Sequence, residues 1–325
     1  MKTQNGLRVF SKLTCFSTLF LIFVGGMVTS TGSGLSVPDW PLSYGTLFPP
    51  MVGGVFYEHG HRMVAGTVGF LTLLLTIWVH FKEKRKWVKV AAYFALLAVI
   101  CQGVLGGITV LFYLPPAISV SHAVLAQTFF LLTILLAYSF SLERQHRLDL
   151  PIVVNVRMQK ASLILVVAVY IQLILGAIMR HTGSGLAIYD FPTMGGEWWP
   201  VLNKTFLAKI NVWRFQHGLD PVKLSNVIFH LLHRIGALGV CAALVYVNLA
   251  GRGLSLPNQK QIHWAIWALN LFVLTQIFLG AMTVLTLKQP VVTSLHVMCG
   301  ATILGLSFLL FLRVLPISLK EVRWR

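Results

Sequence analysis

Eight long apolar segments divide the chain and constrain its fold more than any other feature of the sequence. Each holds roughly 20 residues with few charges, the length that a helix needs to cross a hydrocarbon core of about 30 Å. A helix satisfies its own backbone polar groups, which an irregular segment in lipid cannot do. We therefore predict an all-α integral membrane protein with eight transmembrane helices. The predicted spans cover residues 13–30, 62–81, 88–111, 118–140, 160–180, 228–249, 262–286 and 292–313.

The composition agrees with a membrane protein and argues against other classes. Only 11% of the 325 residues are charged, whereas soluble domains carry about 25% charged residues. The net charge of +17 would suggest a nucleic-acid partner in a soluble protein. Here the basic residues cluster in short connections between spans, so we expect no nucleic-acid partner. The four cysteines lie inside apolar segments without CxxC spacing, which argues against a zinc site or a structural disulfide.

Lysine and arginine residues concentrate in alternate connections, which predicts the orientation of the spans. Of the 26, 18 lie in the N-terminal tail, in the second, fourth and sixth connections, and after the last span. We expect this side, with both termini, to face the cytoplasm. No signal-peptide cleavage site follows the first apolar segment, so we interpret it as a retained helix. The absence of an Arg- and Ser-rich transit peptide favours a bacterial plasma membrane.

An internal repeat covers most of the chain, at an offset of 151 residues that increases to 172 and 174. The increase indicates an insertion of 21 residues in the second outer loop. Four spans per half mean that both halves enter from the same side. We predict two four-helix bundles, residues 1–150 and 151–325, related by a pseudo-twofold axis. The Gly-rich loops around Asp39 and Asp190 would be lids over a site or structural corners. The matched pairs are Thr31–Leu35 with Thr182–Leu186, Asp39–Pro41 with Asp190–Pro192, His61–Arg62 with His233–Arg234, Gln102 with Gln276, Gly106 with Gly280, and His122 with His296.

Four of the 11 histidines belong to this repeat and lie near the outer ends of spans. They are His61 and His122 in the first half, and His233 and His296 in the second. An ionisable side chain in a span is by default a functional candidate. Two imidazoles on facing helices of a bundle suit the axial positions of a haem iron. The adjacent Arg62 and Arg234 could contact haem propionates. A mononuclear metal site or a purely structural role for the histidines remains the alternative.

The two halves differ beside the first histidine pair. Glu58 precedes His61 by three residues and would share its helix face, if the second helix already begins there. His230 occupies the matching position in the second half. His59 would point elsewhere, so we do not expect it to be a ligand. Glu58 could transfer protons, or it could cap the helix at the interface. The difference predicts a reacting haem in the first half and a stationary haem in the second.

This pattern resembles the haem A synthase family over nearly the whole chain. The resemblance is carried by Glu58–Arg62, the two T-G-S-G-L segments, His122, Phe229–Arg234 and His296. It implies that a methyl group of haem O becomes a formyl group through two hydroxylations and loss of water, with water suggested as the oxygen source. It also implies the roles of the site residues. Glu58 would be the essential glutamate, His61 and His122 would hold the substrate haem, and His233 and His296 would hold a haem b cofactor.

Some members of that family carry two cysteines in the first outer loop, and this chain has none between Val28 and His61. A thiol route there is excluded, and the electron acceptor stays unknown. The alternatives are a di-haem b electron-transfer cytochrome and a transporter, although a transporter would carry its polar residues nearer the midplane. Expected partners are haem O, the lipid bilayer and, as a candidate, haem O synthase. Glycines such as Gly25 and Gly26 permit close helix contacts, which leaves a homo-oligomer open.

Overall fold

Ten α-helices form most of the chain that the computed structural model describes, residues 2–148 and 153–316. Eight of them are long and apolar enough to cross a membrane, which confirms the predicted all-α fold with eight spans. A 3-10 turn lies at Ser184–Leu186. The helices are α1 (Lys2–Ser30), α2 (Gly54–Lys82), α3 (Lys86–Leu111), α4 (Pro116–Ser139), α5 (Leu142–Arg147), α6 (Val156–His181), α7 (Lys204–Gln216), α8 (Leu224–Gly251), α9 (Gln259–Leu285) and α10 (Pro290–Val314).

Several helices extend beyond the apolar segments that predicted them. Helix α1 begins at Lys2 rather than near residue 13, and α2 begins at Gly54 rather than near residue 62. The apolar segment marks only the part suited to lipid, whereas the backbone hydrogen bonds continue into the more polar ends. The early start of α2 places Glu58 and His61 in one helix. The short helices α5 and α7 were not predicted, and α7 lies in the enlarged second outer loop.

The eight long helices pack as two rings of four. Helices α1 to α4 contact one another in order and α4 closes on α1, while α6, α8, α9 and α10 form the second ring in the same way. The rings meet where α1 contacts α10, α4 contacts α6, and α4 contacts α10. If α1 is exchanged with α6 and α4 with α10, the α1–α10 contact becomes the α4–α6 contact, and the α4–α10 contact is unchanged. A twofold axis between the rings would give this pattern. The axis and the domain limits stay predictions, and the boundary at residues 150 and 151 lies outside the described residues.

Each ring is densely packed toward one end of its helices only. In α2, the first buried apolar side chain is Val68. In α8, Val227 is buried, and the next buried apolar side chain is Val240. No residue in the stretches 60–67 of α2 or 231–239 of α8 is fully buried. The matching stretches of α4 and α10, 120–126 and 295–298, show the same gap. Both rings therefore leave accessible space near the histidine ends of their helices.

An ion pair ties the connection between the halves to the last helix, at the ends opposite the histidines. Arg313 of α10 donates from Nε and Nη2 to the two carboxylate oxygens of Glu143 in α5, each at 2.7 Å. The Arg313 side chain is only 9% exposed. Its Nη1 also donates to the carbonyl of Gln261 at 2.9 Å. The pair joins three separate segments, and its loss would leave a buried guanidinium without its counter-charge.

We expect Glu143→Gln to lower the free energy of unfolding by about 3 kcal/mol, because breaking a buried pair strands the remaining charge. Thermal and denaturant unfolding of the purified protein in detergent would measure this loss. Glu197→Gln is the control, because Glu197 lies on the exposed surface and such substitutions change stability by about 0.5 kcal/mol or less. Equal stability of the two variants would contradict the structural role of the pair.

Candidate bis-histidine sites

The four repeated histidines take equivalent places in the two rings. His61 lies in α2 and His122 in α4 of the first ring, and His233 lies in α8 and His296 in α10 of the second. All four side chains are partly accessible rather than fully buried. They border the loosely packed stretches described above. Each ring therefore presents two imidazoles beside an accessible space, as the sequence predicted.

A glycine on the preceding span supports the edge of each imidazole. A Cβ built on the glycine would lie 3.0–3.3 Å from the histidine Cε1 in all four cases. Any larger residue would displace the ring, so the glycines fix where the imidazoles stand. The sequence suggested close helix contacts at Gly25, Gly106 and Gly176 and matched Gly280 to Gly106 in the repeat, but it did not connect these glycines with the histidines. The pairs are Gly25 with His61, Gly106 with His122, Gly176 with His233, and Gly280 with His296.

The second pair has the separation that one metal ion between two imidazoles requires. The ring centroids of His233 and His296 are 6.4 Å apart, with an angle of 71° between the ring planes. Two imidazoles bound to opposite sides of a metal at about 2 Å would have centroids about 6.3 Å apart. The angle fits as well, because each ring can rotate about the metal–nitrogen axis. The geometry therefore suits a haem iron, which takes axial ligands on both faces of the porphyrin.

The two nitrogens of each imidazole have different surroundings. Nδ1 of His61, His122 and His296 is buried, with no hydrogen-bond partner in the described part of the chain. Nδ1 of His233 lies 3.2 Å from Nε2 of Gln172. Nε2 of His296 lies 3.4 Å from Nε2 of the Gln276 side chain, and Gln276 matches Gln102 in the repeat. No group of three His, Cys, Asp or Glu side chains in the described residues could hold a separate metal ion.

Glu58 lies in α2 as expected, but its carboxylate is held by the outer loop and by an arginine. Oε1 accepts a hydrogen bond from Arg62 Nη2 at 2.7 Å, and Oε2 accepts one from the Val37 N–H at 2.8 Å. The residue is only 3% exposed. It therefore does not cap the helix, and it is not a bare carboxylate at an apolar rim. His59 also contacts the loop, with Nδ1 2.8 Å from the Ser43 hydroxyl.

The paired arginines anchor the outer loops in both halves. Arg62 Nη1 donates to the carbonyls of Asp39 and Leu42, each at 2.7 Å. Arg234 donates to the matching carbonyls of Asp190 and Thr193, at 2.5 and 2.9 Å. Both guanidiniums are therefore engaged with the outer loops, and the propionate contact stays a prediction.

His230 replaces Glu58 in an otherwise equivalent network. The Ile188 N–H points to His230 Nδ1 at 3.2 Å, and Arg234 Nε points to His230 Nε2 at 3.3 Å. Ile188 matches Val37 at the repeat offset of 151 residues. A neutral imidazole can accept at only one nitrogen, so the second half holds this corner with fewer bonds and without a negative charge. The structure thus places His230 where the repeat puts it, and the difference between a reacting and a stationary haem stays a prediction.

Asp39 and Asp190 hold the turns of the outer loops. Asp39 accepts from the N–H groups of Tyr44 and Gly45 at 2.7 and 2.8 Å, and the bonds from Gly45 and Tyr44 lower its pKa. Partial burial raises the pKa of Asp190, but hydrogen bonds from Thr193 and the turn amides outweigh it and lower the pKa overall. Of the two predicted roles, the structure shows the structural corner.

The fold and the repeated histidines define a membrane protein of eight spans with two histidines in each ring of helices. The chain belongs to the COX15-CtaA family, described as cytochrome oxidase assembly protein, which matches residues 8–53 and 52–308. It is 28% identical to the heme A synthase of Halalkalibacterium halodurans, over 90% of this chain and 92% of that protein. It is 30% identical to that of Bacillus licheniformis, over 84% of this chain and 83% of that protein. A heme A synthase of Rickettsia bellii is 26% identical over 90% and 94%. These matches confirm the family resemblance.

We expect Gly280→Ala to weaken haem binding about 10-fold. Changes to groups that orient metal ligands typically weaken metal binding by about 10- to 100-fold, and this change lies at the lower end. The added methyl group would meet His296 Cε1 at 3.0 Å and turn the imidazole out of line. The haem-to-protein ratio and the low-spin absorption spectrum of the purified protein measure this. Gly239→Ala is the matched control, because nothing lies within 4 Å of a Cβ built there. Full haem retention in Gly280→Ala would refute the supporting role.

Proposed function

We propose that this protein is a haem A synthase, which oxidises a methyl group of haem O to a formyl group by successive hydroxylations. The observation that carries the proposal is the repeated pair of histidines in each ring. On α2 the buried Glu58 precedes His61 by three residues, whereas His230 takes that place before His233 on α8. Family membership agrees with this activity, because relatives that match over most of their length are heme A synthases. The enzyme is an oxidoreductase of the bacterial plasma membrane that uses haem.

Within this activity we assign the two sites different roles. His61 and His122, in the bundle of residues 1–150, bind the iron of haem O. His233 and His296, in the bundle of residues 151–325, bind a haem b cofactor, and their 6.4 Å separation supports this assignment. When bound, haem b supplies one-electron redox chemistry. The imidazoles hold each iron in place, and the apolar helix faces keep bulk water from the porphyrin.

Glu58 is the group that we expect to accept protons during oxidation of the methyl group. Conversion of a methyl to a formyl group with water as the oxygen source releases both protons and electrons. Arg62 and the Val37 N–H fix the orientation of the carboxylate at 2.7 and 2.8 Å. Both partners are donors that hold the carboxylate against the outer loop. His230 provides no carboxylate in the second half, which suits a haem that carries electrons without being modified.

We expect Glu58→Gln to lower haem A formation about 100-fold or more, the scale of a lost general base, while haem binding persists. The amide keeps the side-chain size and can still accept from Val37. Chromatography of pigments extracted from cells supplied with haem O would separate haem O, the hydroxylated intermediate and haem A. His230→Gln is the matched change in the second half, and it should affect conversion less.

Undiminished haem A formation in Glu58→Gln would remove the catalytic role from this residue. A wild-type protein that binds haem b but leaves haem O unchanged would instead indicate an electron-transfer cytochrome. Each result is read from the same extract, so a binding defect and a chemical defect can be told apart by the total haem recovered.

We also infer that both termini lie in the cytoplasm and that the histidines lie near the outer face. In a variant without native cysteines, an impermeant maleimide applied to intact cells should label Lys209→Cys in α7 but not Lys84→Cys between α2 and α3. Both lysines are exposed, so access to the reagent decides the result. Labelling of Lys84→Cys alone would reverse the orientation.

A further inference from the structure

A buried arginine lies where the two rings meet, beside the second histidine pair. Arg180 is near the end of α6, and its Nη2 donates to the Gly26 carbonyl at 2.7 Å and the Ser30 hydroxyl at 2.9 Å, both on α1. No carboxylate in the described residues forms an ion pair with it. No hydrogen bond of its Nε or Nη1 is found in that part of the chain. A buried guanidinium is costly unless a negative charge pairs with it. Only one nitrogen of Arg180 is hydrogen-bonded, so we expect an anion to bind there.

The position of Arg180 relative to the site suits a group at the edge of the porphyrin. It follows Gly176, which supports His233, by four residues, and so lies one turn or about 6 Å further along α6. The Ser294 hydroxyl donates to Ser30 at 3.1 Å, and Ser294 precedes His296 by two residues. The guanidinium therefore borders the second site on its outer side.

A lysine adds a second cation to this region. Lys288 connects α9 to α10, and its Cδ would be 3.4 Å from a Cβ built at Gly185 in the second outer loop. Its pKa is lowered by partial burial and then by the positive charges of Arg214 and Arg180. Arg214 is engaged with the carbonyls of Asp220 and Leu186. Arg180 and Lys288 thus repel each other and lack an acidic partner within the described chain.

The first half keeps the same backbone but has no such cations. At the repeat offsets of 151 and 174 residues, Arg180 corresponds to Thr29 and Lys288 to Leu114. Leu114 packs against Gly34, with its Cδ1 at 3.2 Å from a built Cβ, much as Lys288 packs against Gly185. The geometry is therefore conserved between the halves while the charge is not. A haem presents two carboxylate groups at one edge, and at these two paired positions only the second half offers them cations.

We propose that Arg180 and Lys288 bind the propionate carboxylates of the haem in the second half and so retain it as a resident cofactor. The neutral Thr29 and Leu114 leave the first site without this anchor, so that substrate can enter and product can leave. This assignment rests on the proposed function, because it requires one haem to stay and the other to exchange. Each hydrogen bond between charged groups of this kind increases binding affinity, here the affinity of the second site for haem, by about 10- to 100-fold.

The test measures loss of haem b from the purified holoprotein into excess apomyoglobin, using protein from cells that make no haem O. We expect Arg180→Gln to raise the dissociation rate at least 10-fold, Lys288→Gln to raise it less, and the double variant to lose haem fastest. Lys209→Gln removes a lysine from the exposed outer helix α7 and should leave the rate within about twofold. The midpoint potential of the haem should fall in Arg180→Gln and Lys288→Gln, because a nearby cation favours the less positive reduced iron.

A gain-of-retention variant tests the same idea in the first half. Leu114→Lys should slow release of haem from the first site several-fold, because it recreates the lysine of the second site. If Arg180→Gln fails to yield haem-loaded protein, Arg180→Lys should restore haem binding, and Lys288→Gln still reports on the anchor. Unchanged dissociation rates and potentials in haem-loaded Arg180→Gln and Lys288→Gln would overturn this assignment alone. A wild-type protein without a bis-histidine haem spectrum would overturn it together with the proposed function.

Discussion

The close approach of a glycine backbone to the edge of each paired imidazole is the contact on which the sites depend. An imidazole carried by a single helix could turn about two side-chain bonds, and its nitrogen would then sample many positions. The glycine backbone on the neighbouring helix removes one side of that freedom, because a Cβ built on it would lie only 3.0–3.3 Å from Cε1. Packing at the opposite ends of the helices then holds the two backbones in register. The dense ends stabilise the rings, and the open ends keep room for a flat macrocycle.

Matching hydrogen bonds hold the outer loops in both halves of the chain. Two arginines anchor the outer loops through matched carbonyls, and two aspartates hold the turns through matched backbone amides. Against that shared background the differences stand out as changes of charge. Glu58 becomes His230, Thr29 becomes Arg180, and Leu114 becomes Lys288. Under the proposed function, these changes of charge at unchanged backbone positions would adapt two similar sites to two different tasks.

The sequence predicted the spans and the four histidines because both depend on strong local signals. Apolar length determines what can cross lipid, and an ionisable side chain in an apolar segment is too costly to recur four times without a function. The partners of Arg62 could not be predicted, because a guanidinium bonds to whichever carbonyls the folded loop brings to it. Helix α7 was not predicted because its pattern is weakly amphipathic and lies in a polar loop. Arg180 was not predicted as a site residue because the repeat pairs it with an uncharged residue, Thr29. Positions that differ in charge between the halves are nevertheless the ones that distinguish the two sites.

The charges around the two sites also bear on the direction of electron flow. In the proposed reaction, oxidation in the first half would release electrons and protons together, and the Glu58 carboxylate would favour proton uptake. Cations beside an iron in the second half would stabilise its reduced form, because reduction lowers the positive charge that they face. The low polarity of the membrane interior strengthens both effects relative to water. An arrangement that retains the second haem through its carboxylates therefore also makes that haem the better electron acceptor, so retention and electron transfer follow from the same two side chains.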